Sequence, residues 1–569
     1  MSEAFDPILT EVMRHELIAI SEEMNITMKQ TTRSIVAKEG GDFSAGLLDP
    51  AGRVIAQAVP YGLGYFTAVM PHIIRQYGES LRAGDIIISN DPYGGLSHLP
   101  DIAVVLPIFW QGEHRGFAAV VQHHTDIGGR FPGGMGLPCA EIYEEGLRLP
   151  ALRYYEDGKR NEAVQAIIEA NVRAPDDVLG DLDAAVAACR RGERGLVNLL
   201  DKYGSADVAN CYRHLLAHSE QAMRTALGAI ANGRYSHTER FDDGSGATVD
   251  LKVTLVVEDG AVTVDFTGTG PQLPNALNVP PGMIGNWVAN MVFLALLGEA
   301  EITINSGLFA PITTITEEGS VLRPRFPAAV GSRGQLLWRV TDLVTAALAK
   351  AMPERMPAAS EGGISMMVFT PAGGGGMLTE MYASGWGARP GSDGIDGVMP
   401  VGMSGFRTNP GESIEQELPV MLDGFGFVPD SGGCGCHRGS LAVFRRWRFL
   451  ASGRVMLRTC RVDSLPYGLA GGGEGSAFKA LLIRDGEEIE LPRKIMLDIE
   501  VREGDLLVHV QPGAGGHGLP FARDPEKVHA DVLDGKVSTA NAEREYGVAI
   551  TDGAVDVERT NALREAATS

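Results

Sequence analysis

Three side chains of the types that ligate divalent metals fall in two short stretches. His98 and Asp101 stand in Asn90-Asp91-Pro92-Tyr93-Gly94-Gly95-Leu96-Ser97-His98-Leu99-Pro100-Asp101, and His123 opens His123-His124-Thr125-Asp126-Ile127-Gly128-Gly129. Two neutral imidazoles and an ionised carboxylate suit Zn²⁺, Mn²⁺ or non-haem iron near pH 7, and three protein ligands leave a position open for chemistry. A lone histidine usually does no more than hydrogen-bond in its loop; it is the clustering that points to a metal. His124 and Asp126, beside the ligands, are expected to orient them or to move a proton.

A hairpin would bring these residues together. Apolar runs at 102–110 and 116–122 flank Gln111-Gly112-Glu113-His114-Arg115, and two such runs around a short polar turn read as paired antiparallel strands. Asp101 and His123 lie equally far from Gly112, so pairing about this turn sets them opposite each other, with His98 just before the first strand.

The elements around the hairpin follow from the same patterns. Ile8, Val12, Leu17, Ile18, Met24 and Met28 recur near helical spacing over 8–33 without Gly or Pro, which predicts an amphipathic helix. Residues 45–57 read as a second hairpin around Asp49-Pro50-Ala51-Gly52, and 85–89 as a buried strand that delivers the 90–101 loop. From 162 to 230 the chain is rich in Ala, Leu, Arg and Glu with breaks at Pro175 and Gly204, a helical layer. Strand patterns at 247–256 and 261–266, a helix over 335–351 and strand-like runs from about 440 complete an α+β reading, multi-domain, with mixed and antiparallel sheets. A chain of 569 residues exceeds the ~250–300 that one core supports. The expected division is a metal-binding domain over 1–230 and one or more β-rich domains over 231–569.

Composition excludes several functions. A formal charge of −23 opposes a nucleic-acid surface, which needs clustered Lys and Arg. The apolar run 287–297 is about half of the ~20 residues needed to cross a bilayer, and the acidic, polar start Met1-Ser2-Glu3-Ala4-Phe5-Asp6-Pro7 lacks the features of a leader. Six cysteines are too few for a disulfide framework in so long a chain, so the expected location is the reducing cytoplasm. No Gly-Lys-Ser/Thr phosphate loop occurs, and Gly513-x-Gly515-x-x-Gly518 runs into Leu519-Pro520 instead of opening a helix; a nucleotide would sit on a partner. No Gly-x-Ser-x-Gly elbow is present, and Cys139 beside Pro138 is isolated. Cys434-Gly435-Cys436-His437 gathers three soft ligands at a spacing unlike a zinc knuckle, leaving open a metal site, buried thiols or a redox pair.

Asp42-Phe43-Ser44, the 90–101 and 123–129 stretches, Glu144-Glu145-Gly146-Leu147-Arg148, Asn171-x-Arg173, Gly180-Asp181-Leu182, Asp265-Phe266-Thr267-Gly268, Asn305-Ser306-Gly307-Leu308, Asp430-Ser431-Gly432-Gly433 and Pro512-Gly513-Ala514-Gly515-Gly516 run through nearly the whole chain. Together they resemble the hydantoinase B/oxoprolinase family, which includes subunits of N-methylhydantoinase, caprolactamase and 5-oxoprolinase and, more distantly, acetone and acetophenone carboxylases. The resemblance implies a metal held by Asp42, His98, Asp101 and His123. It also implies a hetero-oligomer with a hydantoinase A-type ATPase subunit of acetate-kinase/actin-like fold, which would carry ATP-Mg. The implied reaction is ATP-dependent opening of a cyclic amide, with ketone carboxylation as the alternative. A third reading, a scaffold whose metal only braces loops, would need a saturated site. Cys434 to Ser440 departs from the Gly-aromatic-Arg-Gly-Gly turn of such relatives.

Overall fold

The computed structural model describes residues 6–58, 63–298, 302–374, 376–399 and 408–568. Residues 1–5, on which most of the leader reading rests, lie outside these. Two compact units divide the described chain. One holds the residues up to Arg234 together with Thr254–Arg333; the other holds Tyr235–Val253 and the described residues from Gly334 onward. Segment 254–333 returns to the first unit through pairings no local pattern announces: Ala276 N donates to the Leu137 carbonyl at 3.1 Å and Ile142 N to that of Pro327 at 2.8 Å.

The first unit is built on a seven-stranded, wholly antiparallel sheet. Its strands are β1 (Phe43–Leu48), β2 (Val54–Gln57), β3 (Ile86–Ser89), β4 (Asp101–Trp110), β5 (Glu113–His123), β6 (Leu152–Glu156) and β7 (Lys159–Arg160), in the order β2-β1-β5-β4-β3-β6-β7. β4 and β5 sit centrally, buried along most of their length. Two helices pack on this sheet. α1 (Pro7–Thr31) starts at Asp6, whose carboxylate accepts from Ile8 N and Leu9 N at 2.9 and 3.1 Å, an N-cap that satisfies two otherwise orphaned donors. Its buried stripe is Met13, Leu17, Ile20, Met24 and Met28, while Ile8 and Val12 are exposed. The helix is where periodicity puts it; its inner face is rotated from the expected one because the 13-17-20-24-28 spacing gives the longer apolar stripe. α2 (Pro175–Gly228) has Pro175 in its first turn and leaves helical geometry at Gly204, the two expected breaks. The first unit also holds a parallel pair, β8 (Ala261–Asp265) with β9 (Ile312–Ile315), so the sheets are mixed.

In the second unit, helix α3 (Gly334–Ala349) is buried around nearly its whole circumference. A four-stranded and a five-stranded antiparallel sheet accompany it. The glycine-rich segments near 433, 473 and 515 interlock by backbone bonds: Gly433 N to Ala514 O at 2.8 Å, Gly473 N to Cys434 O at 2.7 Å, and Gly516 N to Gly473 O at 2.9 Å.

A candidate metal centre at the end of the β4–β5 ladder

The register of the central hairpin creates the site. Gln111 and Gly112 both adopt positive φ, 52° and 80°, the backbone that a two-residue turn between twisted strands requires. From that turn Trp110 pairs with Glu113 and Phe109 with His114. Continued unbroken, this register would set Asp101 opposite Gln122, whose side chain points to the other face of the sheet from that of His123. A bulge intervenes between Ile108 and Phe109, with Arg115 as the extra residue on β5, and it brings Asp101 directly opposite His123. A turn in which Asp101 N bonds the His98 carbonyl at 3.1 Å folds His98 back over the strand end.

Three donor atoms then form a near-equilateral triangle. His98 Nε2 lies 3.0 Å from Asp101 Oδ1 and 3.1 Å from His123 Nδ1, and His123 Nδ1 lies 3.0 Å from Asp101 Oδ1. The imidazoles are stacked, centroids 4.9 Å apart at 29°, and all three side chains are buried. Hydrogen bonds alone do not satisfy this arrangement. If both facing ring nitrogens carried protons toward Asp101, two N–H groups would oppose each other along the third edge. Three donors about 2.1 Å from one ion and at right angles to each other lie about 3.0 Å apart, so a divalent cation fits the triangle.

The surroundings hold two of these three side chains, Asp101 and His98. The other oxygen of Asp101 accepts from Ser97 Oγ and, at 3.2 Å, from Arg333 Nη2, which also donates to Ser97 Oγ at 2.6 Å. His98 Nδ1 faces the Gly331 carbonyl at 3.4 Å, which favours the tautomer whose Nε2 is free to ligate. Burial, reinforced by the Arg333 cation, pushes the His98 imidazole down to about 3, so it is neutral. Burial opposes the charge of Asp101, but its contacts with His98 and His123 and the Arg333 cation prevail and hold its carboxyl well below the usual range.

Of the other residues singled out by sequence, Asp42 is buried and its carbonyl accepts from His123 N at 3.0 Å. Its carboxylate is not among the donor atoms that lie within 4.8 Å of one another, which come from His98, Asp101 and His123. His124 N bonds the Pro100 carbonyl at 2.9 Å, and both its ring nitrogens are buried without a hydrogen-bond partner among the described residues. Asp126 is occupied otherwise. Its carboxylate accepts from Gly128 N, Gly133 N, Arg173 N and Arg173 Nη1 at 2.9, 3.1, 2.7 and 3.0 Å. Four donors leave no free lone pair for proton transfer, so Asp126 holds the 126–133 loop. Ser97 sits inside a stretch already conspicuous in the sequence. Arg333 and Gly331 do not: nothing in Gly331-Ser332-Arg333-Gly334 ties it to residues more than two hundred positions earlier.

Cys434 and Cys436 diverge. Cys434 Sγ contacts Glu545 Oε2 at 3.6 Å and Cys436 Sγ the Ala522 carbonyl at 3.7 Å. Burial, with Glu545 nearby, pushes the Cys434 thiol up to about 11. Neither thiol joins a ligand cluster among the described residues.

Comparison with known proteins bears on the chain as a whole. A model of the family described as hydantoinase B/oxoprolinase matches residues 6–520. The caprolactamase subunit beta of Pseudomonas jessenii is 31% identical over 99% of this chain and 99% of its own. The crystal structure of the ATP-dependent caprolactamase from that organism superposes with a TM-score of 0.90 at 29% identity, covering 99% of this chain and 100% of that one. 5-Oxoprolinase 1 of Arabidopsis thaliana is 31% identical over 90% of this chain, which spans 42% of that longer protein. A nucleotide-free acetone carboxylase structure shares the fold, with a TM-score of 0.90 at 17% identity over 99% of this chain and 83% of that one.

Proposed function

The chain belongs to the hydantoinase B/oxoprolinase family, and from that premise and the buried donor triangle we propose that it is the metal-binding subunit of an ATP-dependent amidohydrolase. The substrate class is a cyclic amide of hydantoin, lactam or oxoproline type. The observation that carries this reading is the 3.0–3.1 Å triangle of His98, Asp101 and His123 at the end of a rigid hairpin.

His98, Asp101 and His123 would hold the ion, Zn²⁺ or Mn²⁺, and Asp42, which the family resemblance adds, would become a fourth ligand only by turning its carboxylate toward the triangle. When bound, such an ion supplies Lewis-acid polarisation of an amide carbonyl oxygen. Arg333 and Ser97 keep one oxygen of Asp101 occupied, so that the other points at the ion. His124, buried beside the ligands with both ring nitrogens unpartnered among the described residues, serves as the proton-transfer group. Asp126 acts through the loop it braces.

Unstrained cyclic amides resist hydrolysis, and coupling to ATP makes the opening feasible. The nucleotide belongs on a separate hydantoinase A-type ATPase subunit, with ATP-Mg, in a hetero-oligomer. Two observations support that assignment: the sequence lacks a phosphate loop, and a full-length relative is named as a subunit. No described helix is long and apolar enough to cross a membrane, and the six cysteines are free thiols; a cytoplasmic location suits both these features and the use of ATP.

Ketone carboxylation is the competing reaction for the same scaffold. Identity of 29% to the caprolactamase structure, against 17% to acetone carboxylase, favours ring opening. The test is to incubate the purified complex with ATP, ¹⁴C-bicarbonate and, in separate reactions, cyclic amides and ketones. Ring-opened acid free of label is expected; label fixed in a ketone-derived acid, with every cyclic amide left intact, would overturn the proposal.

A further inference from the structure

Glu145 is buried in the first unit, and its hydrogen bonds go to none of the three candidate ligands. Its Oε1 accepts from two successive backbone donors, Val330 N at 2.9 Å and Gly331 N at 2.6 Å. Those two residues begin a tight turn closed by Arg333 N on the Val330 carbonyl at 3.1 Å. Both ends of the turn act on the metal centre: the Gly331 carbonyl faces His98 Nδ1 at 3.4 Å, and Arg333 reaches Ser97 and Asp101. We infer that Glu145 is a positioning residue for the metal centre, setting the 330–333 turn so that one carboxyl oxygen orients both His98 and Asp101. This rests on the metal-binding reading above.

Packing around the turn leaves little slack. A Cβ on Gly331 would meet the Gly134 carbonyl at 2.8 Å and Glu145 Oε1 at 2.9 Å. The turn is therefore pressed onto the glutamate, and a side chain at 331 would push the two apart. Ser332 fastens the same turn from its other side, its Oγ donating to the Met135 carbonyl at 2.9 Å and its N to that of Ala276 at 2.8 Å. Within this frame Glu145 supplies the acceptor for two adjacent N–H groups. If it were removed, both would be buried without partners and the turn would reorganise to find others. An amide oxygen at the same place would serve equally, because the role is to accept hydrogen bonds. That separates positioning from a charge effect.

The test uses the full chain loaded with Co²⁺, whose visible absorption reports the ligand set, and affinity from competition with a chelator. His123→Ala establishes that the spectrum arises from this centre. Glu145→Ala is expected to weaken Co²⁺ roughly tenfold to a hundredfold, the usual effect of losing a group that orients a ligand, and to shift the absorption bands. Glu145→Gln is expected to restore both. Glu145→Asp, which withdraws the oxygen by one methylene, provides a milder variant should the alanine protein not fold, and should weaken binding in the same direction. A wild-type spectrum and affinity in folded Glu145→Ala or Glu145→Asp would overturn the inference while leaving the metal centre standing. Absence of any His123-dependent spectrum in the wild-type chain would overturn both.

Discussion

Asp101 and His123 stand opposite one another across the β4–β5 ladder, their Oδ1 and Nδ1 atoms 3.0 Å apart. Backbone pairing fixes this relationship, so replacing either side chain leaves the hairpin intact. His123→Ala should therefore give a folded protein whose metal content falls to background and whose turnover is lost. Elemental analysis of the purified variant beside circular dichroism checks this. A variant that loses the metal but keeps full activity would refute catalytic involvement.

Arg333 separates affinity from folding in another way. Its guanidinium bonds both Ser97 and Asp101 Oδ2, so Arg333→Ala releases the outer oxygen of a ligand. Metal affinity should fall roughly tenfold to a hundredfold. Lysine should restore it poorly, because an ammonium is more strongly hydrated than a guanidinium and costs more to bury at this site. Chelator competition on the three proteins decides the matter.

How much of this is legible in the sequence depends on the range of the interaction. The hairpin pattern places Asp101 opposite His123 because strand pairing is local, although the turn is centred between Gln111 and Gly112 and needs the bulge at 108–109 to give the same register. Gly204 is readable as a break because glycine alone carries a left-handed φ cheaply within a helix. Arg333 and Glu145 are not readable as parts of the site. They reach it across separations of 232 and 186 residues, through a turn whose place is set by tertiary hydrogen bonds. Asp126 is a related case: its residue type suits proton transfer, and only the fold shows its carboxylate filled by four donors.

That filling makes a prediction of its own. Asp126→Ala would orphan two buried N–H groups, those of Gly128 and Gly133, each costing about 1–3 kcal/mol before relaxation. A loss of stability of a few kcal/mol is expected, measured by urea denaturation. Activity surviving in the folded fraction should keep the wild-type pH–rate profile; a profile that lost one limb would return Asp126 to a proton-transfer role.

Glu145 should also leave a mark on stability against pH. Burial, opposed by the hydrogen bonds from Gly331 and Val330 and by Arg333, raises its carboxyl from 4.5 to about 8. The folded state thus holds a proton that the unfolded state releases. Its contribution is fully present below pH 4.5 and is lost as pH rises toward 8. Glu145→Gln, which cannot ionise, should flatten this part of the profile. Denaturation midpoints at pH 5 and pH 8 for both proteins give the comparison, and equal slopes would count against the assignment.

The second unit offers a test of its own. Arg461 is buried between two carboxylates, bonding Glu239 Oε1 at 2.6 Å through one nitrogen and Asp342 Oδ2 through the other. Arg339 shares Glu239 and donates to the Arg240 carbonyl at 2.7 Å. Removing one partner from such a group strands the others in a medium that solvates charge poorly. Arg461→Ala should therefore cost about 3–5 kcal/mol. Burial already raises the Asp342 carboxyl to about 6, with Arg461 pulling it down; without that cation it rises further and takes up a proton. The deficit should accordingly be smaller at pH 5 than at pH 8, since protonation removes the stranded charge. Urea denaturation of wild type and variant at the two pH values measures it, and a deficit independent of pH would show that Asp342 does not feel Arg461.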